Sequence, residues 1–158
     1  MLTIHLITLG KLKEPYWQDA EREYVKRLTP YAKVIIHEAR EESFGDRDAI
    51  DGIKKKEAEK IKSILLKIRD AFIFVLDETG EKYSSIKFAE EIKNLLQNNS
   101  TFVFIIGGPL GLDVEIKKAG SKLFSLSDLT FTHQMARVFL LEQLYRSFMI
   151  LSNRRYHY

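Results

Sequence analysis

Apolar and polar positions along this chain fall into two alternating kinds of block. Leu2–Leu9 is rich in Ile, Leu and Thr and stops at Gly10, the pattern of a strand. Pro15 is pre-organised for a first helical turn, so a helix is expected over Pro15–Leu28. Residues 32–38 (AKVIIHE) read as a second strand and 39–47 as a charged loop. Over 48–69, Ile50, Ile53, Ala58, Ile61, Leu65 and Ile68 recur mainly at three- and four-residue spacing, which predicts a long helix. Lys54, Lys55, Lys56, Glu57 and Glu59 fall on what should be its solvated face. Residues 71–76 (AFIFVL) and Thr101–Ile106 (TFVFII) are apolar throughout, as strands covered on both faces are. Helices are expected over 85–98, 112–119 and 134–151, with a short fifth strand at 121–126.

This alternation predicts an α/β fold, a mainly parallel sheet with helices on both faces. No repeat, low-complexity tract or linker interrupts it, so residues 1–158 read as a single domain. At this length a chain buries roughly 68–70% of its unfolded surface, enough for a core without staples. With no cysteine, disulfides and thiolate metal sites are excluded. The apolar start MLTIHLITLG lacks a basic flank and a cleavage site, and reads as a strand and not a signal peptide. No apolar run reaches the ~20 residues a membrane helix needs. A cytoplasmic protein without a membrane partner is expected.

Charge changes the picture by its position. The net charge is +3. Arg137, Arg146, Arg154 and Arg155 against the single acid Glu142 give the stretch 137–158 that whole excess, and the rest sums to zero. A basic end on a neutral body suggests an anion-binding footprint. The plainer reading is a set of arginines near a helix C-terminus, where the dipole favours them.

Ligands of open α/β sheets sit beyond the carboxyl ends of strands. Three such ends carry candidate chemistry: Leu76-Asp77, Ile106-Gly107-Gly108, and the stretch from Leu126 to His133. Gly107, Gly108 and Gly111 form GGxxG, which is neither a dinucleotide fingerprint nor a P-loop. It is a pocket wall or simply a tight strand-to-helix turn. Ser125, Ser127, Asp128, Thr130 and Thr132 alternate with Leu126, Leu129 and Phe131, so that stretch can offer polar groups while its apolar members wall a flat ring. Its plainer reading is a loop leading into a helix capped by Thr132. For His133, a satisfied structural ring is favoured over a catalytic one. His5, His37, His133 and His157 are scattered without metal-ligand spacing, so no metal is expected. No GxSxG elbow points to a serine hydrolase.

The last helix is too apolar for an ordinary surface helix. Phe139, Leu140, Leu141, Leu144, Tyr145, Phe148 and Met149 require cover on more than one side. The sheet is one cover. A second copy of the chain is the expected other, and a central position within one subunit is the alternative. The tail Asn153-Arg154-Arg155-Tyr156-His157-Tyr158 mixes cations with rings, which suits phosphate contact and base stacking.

Taken together, GKLKEPYW after the first strand, YVKRL, VLDETGEKYSS at 75–85, FIIGGPLGL, LSDLTFTHQMARVFLLEQLYRSFMI and the late Tyr156-His157 carry a resemblance over the full length. The chain resembles the ribosomal large-subunit pseudouridine N3 methyltransferase family of the SPOUT superfamily. That resemblance implies S-adenosyl-L-methionine as methyl donor and a C-terminal trefoil knot holding it. It implies a homodimer in which the tail of one subunit completes the pocket of the other. It implies a pseudouridine of large-subunit ribosomal RNA as acceptor, read within the assembled ribosome. Carried onto this sequence, the donor-binding residues are Leu76, Gly107, Gly108, Leu126, Ser127, Asp128, Leu129, Thr130 and Phe131. Arg154 and His157 are the candidate catalytic residues, as groups able to stabilise the deprotonated imide. The alternative is a non-catalytic ribosome-associated factor on the same scaffold.

Overall fold

The computed structural model describes residues 1–45, 47 and 49–156. Five strands, β1 (Leu2–Leu9), β2 (Ala32–Ala39), β3 (Phe72–Lys82), β4 (Thr101–Ile106) and β5 (Lys122–Ser125), form one sheet of order β2-β1-β4-β3-β5. Every pairing is parallel. The helices are α1 (Pro15–Leu28), α2 (Ile50–Leu65), α3 (Ser85–Leu95), α4 (Val114–Ala119) and α5 (His133–Leu151).

The period of two sorts the strand residues onto two faces. Ile4, Leu6, Phe74, Phe102 and Phe104 pack with Leu28 of α1, Phe88 and Ile92 of α3, and Leu140, Leu141, Leu144 and Phe148 of α5. Ile7, Leu9, Val75, Val103 and Ile105 pack with Ala58 and Ile61 of α2 and Ile116 of α4. Both faces are therefore covered, as the uninterrupted apolar runs require.

Several boundaries differ from the sequence pattern for local reasons. The helix expected over 48–69 runs from Ile50 to Leu65, and Asp48 lies outside the described residues. It tightens through Lys67 N–H to Ile64 O and Ile68 N–H to Leu65 O, then breaks at Asp70, whose φ is +50°. Glu57, expected on the solvated face, is only 5% exposed. Its carboxylate accepts the Glu42 N–H at 3.0 Å and so pins the β2–α2 loop. Burial pushes this carboxyl above its ordinary range.

The last helix corrects a larger expectation. Leu140, Leu141, Leu144, Phe148 and Met149 are buried within the single chain. The chain's own α1 and α3 flank α5, so most of its apolar excess needs no second subunit. Phe139, at 36%, is the exposed exception among the seven apolar residues named above. The basic end is corrected too. Arg137 is 3% exposed and bound to Glu21 and Glu38, and Arg146 pairs with Glu142. Only Arg154 and Arg155 of the four arginines stand exposed.

Parallel register also joins two histidines that are 32 residues apart. His5 Nδ1 and His37 Nε2 lie 2.8 Å apart with the rings stacked. Burial lowers both pKa values; His37 and Lys33 add to the effect at His5, and Lys67 adds to it at His37. The folded chain thus resists protonation where the unfolded chain, with a histidine pKa of about 6.5, accepts it. Stability should be greatest above that value and fall as pH drops below it through the lowered folded values. Urea unfolding of wild type and His37→Gln across this window checks it. A wild-type slope no steeper than the variant's would refute the assignment.

Candidate functional site

The carboxyl ends of β3, β4 and β5 meet at one edge of the molecule. β3 reaches this edge in an unusual way. Phe124 of β5 has two partners in β3, Leu76 and Glu81, and residues 77–80 loop out between them. Asp77 in that detour is held by Lys117 Nζ at 2.6 Å and by the Thr79 N–H at 3.0 Å. Burial works against its charge, but Lys117 and Thr79 hold the carboxyl below the usual range. Gly80 then crosses directly over β5: a Cβ there would stand 2.5 Å from the Phe124 backbone nitrogen.

At the end of β4, Gly107 is required by its neighbour. A Cβ on it would meet Leu112 Cγ at 2.9 Å, so the turn folds back onto its own chain. Gly108 faces Leu9 at ordinary contact distance. At the end of β5, Ser125 Oγ donates to Ser127 O at 3.0 Å, and Ser127 Oγ accepts the Leu129 N–H at 3.0 Å. Thr132 caps α5 by accepting the Met135 N–H at 3.3 Å. These local bonds shape the loop before any ligand arrives.

The structure divides the expected donor residues. Leu126, Ser127 and Phe131 line a cavity of about 320 Å³, together with Tyr83, Phe88 and Phe124. Leu76 and Gly107 stand half-buried at the neighbouring strand ends, and Gly108 beside them. Asp128 points outward and pairs with Lys82. Leu129 is 72% exposed and Thr130 is exposed. The cavity is walled by rings and aliphatic groups with a hydroxyl at its rim, the composition of a small-molecule pocket.

The tail lies on its own helix as far as it is described. Asn153 turns the chain at φ +52°, and the Arg154 N–H donates to Met149 O at 2.9 Å. The Tyr156 hydroxyl donates to Glu142 Oε1 at 3.2 Å, with Arg146 stacked 4.8 Å over its ring. Arg154 is otherwise exposed; His157 lies outside the described residues. Two clusters escaped sequence reasoning. One is Asp77–Lys117. The other is Arg137 with Glu21, Glu38 and Thr8, where an arginine inside an apolar helix was the available signal.

Comparison with known proteins agrees with this geometry. The family described as "Predicted SPOUT methyltransferase" matches residues 2–157. A protein of Pseudothermotoga lettingae named "Ribosomal RNA large subunit methyltransferase H" is 46% identical over 99% of this chain and 100% of its own length. Proteins of the same name from Desulforamulus reducens and Halothermothrix orenii are 41% and 39% identical, each over 99% of both chains. The match runs through the crossing at Gly80, the glycine turn and the loop that opens α5. The chain therefore belongs to the SPOUT methyltransferase family, and its parallel sheet is that family's α/β knot.

Proposed function

We propose that this enzyme transfers a methyl group from S-adenosyl-L-methionine to N3 of a pseudouridine in large-subunit ribosomal RNA, on the assembled ribosome. The observation that carries the reading is the cavity at the end of β5, where Leu126, Ser127 and Phe131 line one wall. Its ring-lined sides fit a flat adenine, and a cationic sulfonium donor needs no phosphate cradle. The full-length likeness to proteins named for ribosomal RNA methylation supports the acceptor class. A ribosomal substrate implies a cytoplasmic site of action. Among the described residues no helix is long and apolar enough to cross a membrane.

Within this reading the donor supplies an electrophilic methyl group, and the chain's residues orient the partners. Methyl transfer is an in-line displacement, so placement is most of the catalysis. Leu126 and Phe131 hold the ring; Leu76 and Gly107 close the neighbouring strand ends. A homodimer fits the exposed apolar residues near the cavity mouth: Leu129 at 72%, Ile86 at 49% and Phe139 at 36%. In such a dimer Arg154 of one subunit is available to the other's pocket, where a permanent cation stabilises the imide anion. His157 shares that proposed role.

Incubating purified ribosomes with the enzyme and labelled donor, then mapping the modified base, tests the reading. Label on a pseudouridine N3 is expected; label only elsewhere, or none, defeats it. Phe131→Ala should weaken donor affinity by calorimetry on the order of tenfold, the value of one lost ring contact. Unchanged affinity would remove Phe131 from the pocket wall.

A further inference from the structure

RNA binding draws on unpaired cations, because each phosphate met by a lysine or arginine releases counterions. The basic end of the chain supplies fewer of them than its sequence suggests, since Arg137 and Arg146 are engaged by Glu21, Glu38 and Glu142. The lysines around α2 sort in the same way. Lys60 holds Glu42, Lys62 holds Glu59 and Glu115, and Lys117 holds Asp77. Lys54 and Lys55 differ: no hydrogen bond or ion pair engages either one among the described residues. Lys55 is exposed, but Lys54 is half-buried. A half-buried ammonium without an acceptor has lost part of its hydration with no compensation, and a ligand that brings an acceptor supplies it.

Both lysines line a cavity of about 400 Å³, together with Asp51 of α2 and with Leu112, Asp113 and Lys117 from α4 and the turn before it. Val114, also in its wall, is 58% exposed, so the cavity is open to solvent. The two carboxylates do not close it to an anion. Asp113 accepts the Glu115 N–H at 2.8 Å and caps α4, and Asp51 stands in the first turn of α2, where the helix dipole offsets its charge. Three cations, Lys54, Lys55 and Lys117, face these two anions.

The cavity adjoins the strand-end loops at two places. Its wall residue Leu112 is the side chain that a Gly107 Cβ would strike at 2.9 Å, and Lys54 Nζ lies 4.0 Å from where a Gly111 Cβ would be. The ammonium thus stands over the glycine turn after β4. Lys117 reaches from the same wall to Asp77 in the β3 detour. The sheet separates this cavity from the proposed donor pocket. Ile116 of α4 and Ala58 and Ile61 of α2 pack on one face, whereas Phe88 and Phe124, which line the donor pocket, belong to the other. A second anion-binding position across the strand ends suits a strand of nucleic acid. A lysine meets phosphate as a compact point charge with three donors and needs no fixed fork.

We propose that the cavity between α2 and α4 is a phosphate subsite for the acceptor RNA, in which Lys54 and Lys55 bind a backbone phosphate of the substrate strand. The assignment rests on the methyltransferase reading above. No bond is made or broken at this subsite; its lysines bind and orient the strand.

Ribosome binding over a series of salt concentrations tests it with wild type, Lys54→Gln, Lys55→Gln, the double variant and Lys54→Arg. Each glutamine should weaken binding at low salt about tenfold, the lower end for a hydrogen bond to a charged group. Each should also flatten the slope of log affinity against log salt by about 0.7–0.9. Lys54→Arg should keep the wild-type slope. Lys26→Gln, which removes an exposed lysine of α1 on the opposite face of the sheet, should change neither quantity. Donor affinity by calorimetry and thermal unfolding should match wild type throughout, because no group of the chain loses a partner. A wild-type slope in the double variant, or an equal loss in Lys26→Gln, would overturn the proposal. So would a loss of donor affinity with ribosome binding intact, which would give the cavity to the donor's carboxylate. In each of these cases wild type still methylates ribosomes and the proposed function stands. Failure of wild type to methylate them would instead defeat that function, and the subsite with it.

Discussion

Gly80→Ala is expected to leave little folded protein, whereas Gly52→Ala should be harmless or stabilising. At Gly80 a Cβ would lie 2.5 Å from the Phe124 nitrogen, 2.6 Å from its carbonyl carbon and 2.7 Å from that of Leu123. All three atoms are backbone of β5, and no rotamer change can move them aside. Phe124 is 3% exposed and stacks on Phe88 at 4.9 Å, so β5 cannot retreat without breaking the aromatic core. The loss should be at least about 4 kcal/mol, the range reached when a substitution forces core backbone to move. At Gly52, on α2, a Cβ would meet nothing within 4 Å, and removing a helical glycine should gain about 0.5 kcal/mol. Thermal unfolding of the two variants decides the matter. If Gly80→Ala melts within a few degrees of wild type, the close crossing at β5 is wrong. Because β5 leads straight into Leu126, partial survival should still cost donor binding.

The second large effect is at Arg137. The side chain is 4% exposed, donates to Glu21 Oε1 at 2.9 Å and to Thr8 Oγ1 at 3.3 Å, and forms an ion pair with Glu38 Oε1 at 2.8 Å. Removing one partner of a buried charge cluster costs about 3–5 kcal/mol, because the remaining charges are left uncompensated. Arg137→Met keeps the length and apolar stem, and should lose that amount near neutral pH. The loss should shrink in acid. Burial already raises the Glu21 carboxyl against the pull of Arg137, and without the cation that carboxyl buries more cheaply when protonated. Urea unfolding at neutral and mildly acid pH reads this directly. An equal loss at both, or one under about 1 kcal/mol, would mean the cluster is solvated and not buried.

Much of the fold was legible because its signals are local. The runs at 71–76 and Thr101–Ile106 announced doubly covered strands, and Phe74, Phe102 and Phe104 are indeed fully buried. Thr132 was readable as a helix cap, and it caps. The α5 pattern was readable only in part. Its composition said that many sides are covered, but composition carries no information on which surface does the covering, and α1 and α3 supply most of it. Nothing within a few residues of Gly80 reveals β5 lying against its backbone. Glu57 sat in a charged run and was expected in water, yet the Glu42 N–H across the β2–α2 loop claims it.

The sequence alone determined the layer order, the parallel character of the sheet and the strand ends where chemistry had to lie, because these follow from residue spacing along a few turns or a few pleats. The family resemblance rests on the same contiguous stretches. Only the tertiary structure decided which charges are neutralised and which lone pairs remain free. Arg137 meets Glu21 across 116 residues, His5 meets His37 across 32, and Lys117 reaches Asp77 across the strand crossing. Electrostatic pairing depends on distance in space and on exclusion of water, and neither is written in the spacing of a linear chain. That is why two groups without a partner among the described residues, the Nε2 of His133 and the ammonium of Lys54, emerge only when all their neighbours are in position.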